Sequence, residues 1–337
     1  MIPLIRAEDD LQRPDAVIVH ALPLDCRPVL RELAGRPEFA NAMQARLIAY
    51  TTLEFAGEIP ADMAADMDGD FDQWWFPCER NVGSVGDRLP AQLVPHAFDD
   101  IARACADADL QRSTNETFTF YYVGAWNNRK NPEGLIRAYT RAFSRKDPVR
   151  LILRCHEASL EQFVLAVAAT GIPQSDQPVM MFRPDRATDA ELVELHRRAD
   201  CFVTASRGEA WNFGAFDAMA ARRHIITTDH LGSEEFLYGS SATRVVSRLA
   251  PAGADATLTA PNQNATAVPV RVFRTHGYTT RSLWREPDLL ALSGAMRMVY
   301  DNRVRHLYGG FDLSDVYSYE SVGELARKLL GSECSPR

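Results

Sequence analysis

The sequence predicts an α/β protein of two units, each built on a parallel sheet. Short β-prone apolar runs alternate with helical runs, first within residues 15–98 and again from Phe118 onward. A polar stretch, DDIARACADADLQRSTNE (99–116), separates the two series. Alternation of this kind builds parallel sheets covered by helices on both faces. The length, 337 residues, accommodates two domains of ordinary size.

In the first unit DAVIVHA (15–21) reads as a buried strand and CRPVLRELAGR as a helix. ARLIAYTT (45–52) is a second strand, followed by the loop LEFAGEIP and a helix near ADMAADM. QWWFP (73–77) is a third strand and LVPHAF (93–98) a fourth, with Pro95 placing it at an edge or terminus. Residues 99–116 read as a linker. The second unit runs FYYVGAW strand, NPEGLIRAYTRAFS helix, VRLILRC strand and SLEQFVLAVAATG helix. VMMFRP, TDAELVELHRRA, CFVTAS, FGAFDAMAA and HIITTD continue the alternation. Thr188 and Glu191 form a capping box for the TDAELVELHRRA helix. Residues 250–283, rich in Pro, Ala and Thr, lack helical period and read as an irregular insertion or β-excursion. Helices near 289–301 and 317–331 close the chain. The expected division is 1–105, then 110–315, with 316–337 a helix returning to the first domain across a cleft.

Composition bounds the class. With 46% apolar and 24% charged residues, the chain is an ordinary soluble globular protein. No apolar run approaches the roughly 20 residues of a membrane span. The opening MIPLIRAEDDLQRPD carries acids where a secretory signal has its apolar core, so the expectation is cytoplasmic. Six scattered cysteines with no C-x-x-C pair imply free thiols, not a disulfide frame or a zinc site. Residues 1–110 hold nine arginines, no lysine and 20 acids, a net of −11 against −8 for the whole chain. Such an acidic third is a poor surface for anionic lipid or a duplex backbone.

The chemistry concentrates in two loops. SRGEAWNFGAFDAMA (206–220) sets polar and ionisable groups between a buried strand and an apolar helix. Strand, tight polar loop and helix is the layout of an anion site, because a helix N-terminus offers unpaired N–H groups and partial positive charge. In GAWNNRKNPEGL (124–135), Arg129 and Lys130 precede a helix starting at Pro132, a favoured first-turn residue. In a doubly wound sheet both loops lie at the C-terminal strand ends, where ligands bind. Two cations and a helix N-terminus there suit a diphosphate.

These motifs resemble those of GT-B glycosyltransferases of the family 4 type. EAWNFGAFDAMA resembles the signature E-G-[FW]-G-L-P-x-x-E-A-M-A, and VGAWNNRKNPEGLIRAY resembles the family's strand, R-K-G/N and helix. LVPHAFD resembles the V-P-x-G-V-D closing the first domain, while ARLIAYTTLEFAGEIP and QWWFPCERN resemble the Y-T-x-x-E and W-V-P-S segments of one branch. The resemblance implies two Rossmann-like domains and a retaining transferase using a nucleoside diphosphate sugar (UDP- or GDP-linked) without metal or other cofactor. Arg129 and Lys130 would hold the diphosphate, and Glu209 would contact the transferred sugar. The backbone of Asn212 and Phe213 would meet the phosphate, and Asp217 would bind the ribose hydroxyls. Gly124, Trp126, Arg207 and Gly214 border the same donor site, Gly214 and Ala215 being small enough to let the ligand approach the backbone. On the acceptor side stand Glu54, near where many relatives place a histidine, and His20 at a strand end.

The chain also departs from the pattern. Position 217 is Asp rather than Glu, one methylene shorter. Asn212 replaces a glycine, a position where Asn tolerates left-handed backbone. Ala125 and Trp126 stand where an arginine is usual, and the first domain reads as reduced, without an opening strand and glycine-rich loop. Taken alone, Glu209 and the Arg129–Lys130 pair could be helix-start charges, and Trp74, Trp75 and Trp126 read as packing residues. Two other functions are weighed against the free-acceptor transferase: a phage-type enzyme glycosylating a hydroxymethylated base in DNA, and a non-catalytic sugar-nucleotide-binding protein.

Overall fold

The computed structural model describes residues 14–40, 42–107, 117–156, 158–252, 283–306 and 313–331. Residues 1–13, Cys334, the 108–116 part of the expected linker and the 253–282 part of the expected insertion lie outside them.

The first unit comprises β1 (Ala16–His20), α1 (Pro23–Ala34), β2 (Arg46–Tyr50), α2 (Ala61–Met67), β3 (Gln73–Phe76), α3 (Glu79–Val85) and β4 (Ala91–Leu93). Its four strands are all parallel and pair in chain order. Next come α4 (Asp100–Asp107), β5 (Phe118–Ala125), α5 (Pro132–Ala142), β6 (Val149–His156), α6 (Leu160–Ala168) and β7 (Val179–Arg183). Then follow α7 (Asp189–Arg198), β8 (Cys201–Val203), α8 (Phe213–Ala220), β9 (His224–Thr228), α9 (Glu234–Leu237) and β10 (Thr243–Val245). The chain continues with β11 (Ser247–Pro251), β12 (Leu283–Pro287), α10 (Leu289–Asp301), α11 (Leu313–Val316) and α12 (Tyr319–Gly331).

The second sheet is parallel with order β10-β9-β8-β5-β6-β7. Counted from β5, that is the 3-2-1-4-5-6 order of a Rossmann sheet, and the order reverses between β5 and β8. One face carries α5, α6 and α10 over Phe120, Leu151 and Val203; the other carries α4, α7 and α8 over Tyr121 and Phe202. The chain leaves β5 and β8 in opposite directions, so a crevice opens between the two strand ends.

In the first sheet α1 and α2 close one face around Trp74 and Phe76. The other face, around Ile48 and Trp75, is covered by Val322, Ala326, Leu329 and Leu330 of α12. The Arg46 guanidinium donates to the carbonyls of Leu329 (3.1 Å) and Leu330 (2.9 Å). These are end-of-helix acceptors without helical partners, where a cation is also favoured by the dipole. Trp74 and Trp75 are both buried, packing as their sequence context implied.

Several local expectations change. β1 is an edge strand with Ile18 47% exposed, not a buried one. The fourth strand is 91–93 and stops before Pro95, which has no N–H for a ladder. Residues 100–107 are not linker but a helix, because Ala102 and Cys105 form a buried stripe that packs on α7 and α8. The ends of the 250–283 excursion pair as the antiparallel ribbon β11–β12. Helices α3 and α9 and strand β10 were not legible from periodicity. The five described cysteines are free and buried, and no helix of the described residues is long and apolar enough to cross a membrane.

Candidate active site

The two loops at the sheet reversal are built alike. After β5, Asn131 takes a left-handed conformation (φ 54°) and caps α5, its side chain accepting from Gly134 N at 3.1 Å. After β8, Asn212 does the same (φ 75°) for α8, accepting from Ala215 N at 3.3 Å. Asn is the residue besides Gly that visits this region routinely, and its side-chain oxygen satisfies an otherwise orphaned helix N–H. A Cβ on Gly134 would sit 2.4 Å from the Asn131 amide, so glycine there is a condition of the cap. The expectation that Asn212 preserves the turn holds. Asn131 escaped the sequence reading, although Asn-Pro-x-Gly before an apolar helix is its signature.

The loops are stitched together. Arg207 N donates to Arg129 O at 2.7 Å, and Asn131 Nδ2 donates to Ala205 O at 3.1 Å. This brings Glu209 against both cations. Lys130 Nζ lies 2.7 and 2.8 Å from its two carboxylate oxygens. Arg129 Nη1 lies 3.3 Å away, and the Ser206 hydroxyl donates at 2.7 Å. The Glu209 side chain is 2% exposed. Burial alone would raise its carboxyl, but Lys130 and Arg129 outweigh burial and hold it below the ordinary range. Arg129 also donates to Gly208 O at 2.6 Å and reaches across to the first unit, pairing with Glu54 at 2.8 Å. A Cβ on Gly208 would meet the Glu54 carbonyl oxygen at 2.1 Å, so the two units touch backbone to backbone here because residue 208 is glycine. Ser206, absent from the sequence expectations, has only its place in the loop to signal it.

Other expected site residues are placed elsewhere. Arg207 pairs through Nε and Nη2 with Glu286 of β12 (2.5 and 3.1 Å) and through Nη1 with Asn128, so it braces the loop from outside the cluster. Trp126 is buried, its ring edge-on to Phe182 at 5.7 Å. Gly124 accommodates the tip of Tyr122, whose hydroxyl would lie 2.4 Å from a Cβ there. A Cβ on Gly214 would lie 3.1 Å from Val123 O and 3.2 Å from the Phe202 ring. Its smallness serves the packing of α8 on the sheet. Phe213, the first residue of α8, stays 50% exposed.

Asp217 lies one turn down α8, in the layer between α4, α7 and α8. Its Oδ2 is 3.9 Å from His196 Nε2, and His196 Nδ1 is 2.8 Å from the Tyr121 hydroxyl. Its Oδ1 makes no hydrogen bond among the described residues. Burial, with a smaller contribution from Asp99, pushes the Asp217 carboxyl up to about 8. Burial, then Arg223, pushes His196 down to about 3. His20 stands at the exposed end of β1, its ring 4.7 Å from Tyr50 and edge-on. Among the described residues no group of three or more His, Cys, Asp or Glu is arranged to hold a metal ion.

Residues 117–260 match the family model of glycosyl transferases group 1. No protein of curated function matches the chain by sequence. By structure it is similar to an α,α-trehalose-phosphate synthase (UDP-forming) of Burkholderia xenovorans, solved with glucose-6-phosphate, at 13% identity and a TM-score of 0.52. That match covers 70% of this chain, which spans 64% of the synthase. It is similar to sucrose-phosphate synthase of Thermosynechococcus elongatus at 13% identity and a TM-score of 0.59, over 94% of this chain and 74% of that one. HepE of Anabaena, solved with UDP and glucose, gives 10% identity and a TM-score of 0.61, over 95% and 78% of the two chains. The fold is the two-domain GT-B arrangement of Rossmann-like units.

Proposed function

We propose that the protein transfers a glycosyl group from a nucleoside diphosphate sugar to an acceptor hydroxyl, with retention and without a metal. The observation that carries this reading is the Glu209 cluster: a buried carboxylate clasped by Lys130 and Arg129, between two Asn-capped helix N-termini, at the reversal of a Rossmann sheet. The group 1 match over the same segment and the UDP bound to a protein of like fold support it.

The α8 N-terminus, with the N–H groups of Phe213 and Gly214, offers the diphosphate oriented donors and partial positive charge. Lys130 and Arg129 stand within reach of Glu209 and therefore of anything bound beside it. Their charge takes up the negative charge that grows on the departing diphosphate, an electrostatic contribution that commonly dominates catalysis. Glu209 then turns its carboxylate to the hydroxyls of the sugar, fixing the anomeric carbon against the phosphate. Asp217 is the ribose contact in this reading: its buried carboxyl oxygen has no donor among the described residues, which a hydroxyl of the nucleoside would supply. The acidic first domain, −11 through residue 110, favours a small acceptor over a base in duplex DNA.

Thermal unfolding with UDP, GDP and their sugars tests the donor, since a bound ligand raises Tm by mass action. The expected outcome is a rise with one nucleoside diphosphate series and slow hydrolysis of that donor without acceptor. No shift with any nucleoside diphosphate contradicts the reading. The anomeric configuration of the product, read by NMR, tests retention.

A further inference from the structure

Beside Glu54, which pairs with Arg129, the strand ends of the first sheet carry a group of rings. His20 closes β1, Tyr50 closes β2, and His96 follows β4 by three residues. The Tyr50 hydroxyl lies 3.0 Å from Val94 O, to which it donates, and 3.1 Å from His96 Nδ1. That contact fixes the His96 imidazole above the sheet end. His20 and His96 then stand 6.4 Å apart with their planes inclined by 31°. His96 continues the row to Phe213, ring centroids 4.9 Å apart, with Trp211 behind it at 5.4 Å. The row His20–His96–Phe213 therefore runs from the exposed edge of the first domain to the first residue of α8.

Two features mark this row as a surface for a ligand. Phe213 is half exposed beside the polar loop 206–212, where an apolar ring in water gains by being covered. Both imidazoles of the row are also held toward their neutral forms. Burial, with His20 adding to it, pushes His96 down to about 4, and burial lowers His20 as well. The cleft cations named above, Lys130 and Arg129, pair with Glu209 and Glu54 and, in the donor reading above, belong to the diphosphate rather than to this row.

We propose that the row His20–His96–Phe213 is the acceptor subsite and that it selects an uncharged sugar or glycoside over a sugar phosphate. The proposal rests on the donor reading above, because it takes α8 to mark the diphosphate end of the row. A pyranose has an apolar C–H face for the rings and hydroxyls for the free imidazole nitrogens. A phosphate dianion needs charge-assisted donors, and a desolvated anion without them is costly to bind.

The test is saturation-transfer NMR on the full chain with methyl glucoside, galactoside and mannoside, in competition with glucose 6-phosphate. UDP binding is measured separately by equilibrium dialysis. At least one methyl glycoside is expected to bind, with glucose 6-phosphate about tenfold weaker. His20→Ala is expected to weaken the glycoside several-fold, His20→Phe to retain most of the affinity, and neither to change UDP binding. The proposal is overturned if no glycoside receives saturation, if glucose 6-phosphate binds as tightly, or if His20→Ala leaves glycoside affinity unchanged. Failure of UDP to bind the wild-type chain would contradict the donor reading alone, since the glycoside titrations are read without it.

Discussion

Two carboxylates, Glu209 and Asp217, flank the start of one short helix and are both buried, yet the fold treats them oppositely. Glu209 receives Lys130, Arg129 and Ser206 and is held charged. Asp217 faces a neutral histidine, keeps one oxygen without a hydrogen bond among the described residues, and is pushed toward its protonated form. Burial is the same force in both places; partners decide which form survives it. The loop acid can draw on cations from a neighbouring loop because the sheet reverses there, whereas the helix acid faces, among the described residues, His196 of α7 and Asp99 ahead of α4.

The largest effect that can break this contrast is removal of Lys130. Breaking a buried pair leaves an uncompensated charge and costs about 3–5 kcal/mol, the low end applying here because Arg129 and Ser206 remain. Urea unfolding of Lys130→Ala should show that loss at pH 7, and adding Glu209→Gln should recover part of it. A loss below about 1 kcal/mol would mean that Glu209 is solvated and the contrast is false. Because the folded Glu209 carboxyl titrates below its unfolded value, its contribution is present above the unfolded value and fades as pH falls through the folded one.

Asp217 gives the opposite sign. Its folded carboxyl titrates near 8, above the unfolded value, so the native state holds a proton that the unfolded chain has lost. Its presence therefore lowers stability as pH rises from about 4 to 8, by at most about 1.4 kcal/mol per pH unit. Asp217→Asn should flatten that slope and stabilise the protein most at pH 8. Parallel stability curves for the two proteins would show that Asp217 is charged in the fold.

A smaller effect sharpens the account of the loop itself. Asn212→Gly should cost only a few tenths of a kcal/mol, because Gly accepts the left-handed turn and caps nearly as well. Asn212→Ala loses the cap and strains the turn, each worth about 1–2 kcal/mol. Equal costs for the two would remove the turn from the argument.

Much of this was legible in the sequence, and the exceptions have physical causes. Strand and helix alternation placed each element from β5 to β9, since buried parallel strands are near-continuous apolar runs. The helix α4 was read as linker because its buried stripe, Ala102 and Cys105, is short and diluted by acids and small residues. Glu209, Lys130 and Arg129 could be named together from motif spacing, but the 2.7 Å contact between loops 79 residues apart could not. The bracing role of Arg207 is not visible in the sequence, because its partner Glu286 lies on a strand beyond the insertion. The packing role of Gly214 is hidden in a linear sequence, which does not show that Val123 and Phe202 lie behind it.

The central claim is that the cations clasping Glu209 are those that bind the diphosphate. Calorimetric titration of UDP into the wild-type chain and into Lys130→Gln, which keeps a hydrogen-bond donor for Glu209 but no charge, tests it most directly. The account predicts binding weakened by about tenfold or more, roughly 1.4 kcal/mol. Equal affinity in the two proteins would contradict it and move the diphosphate away from this cluster.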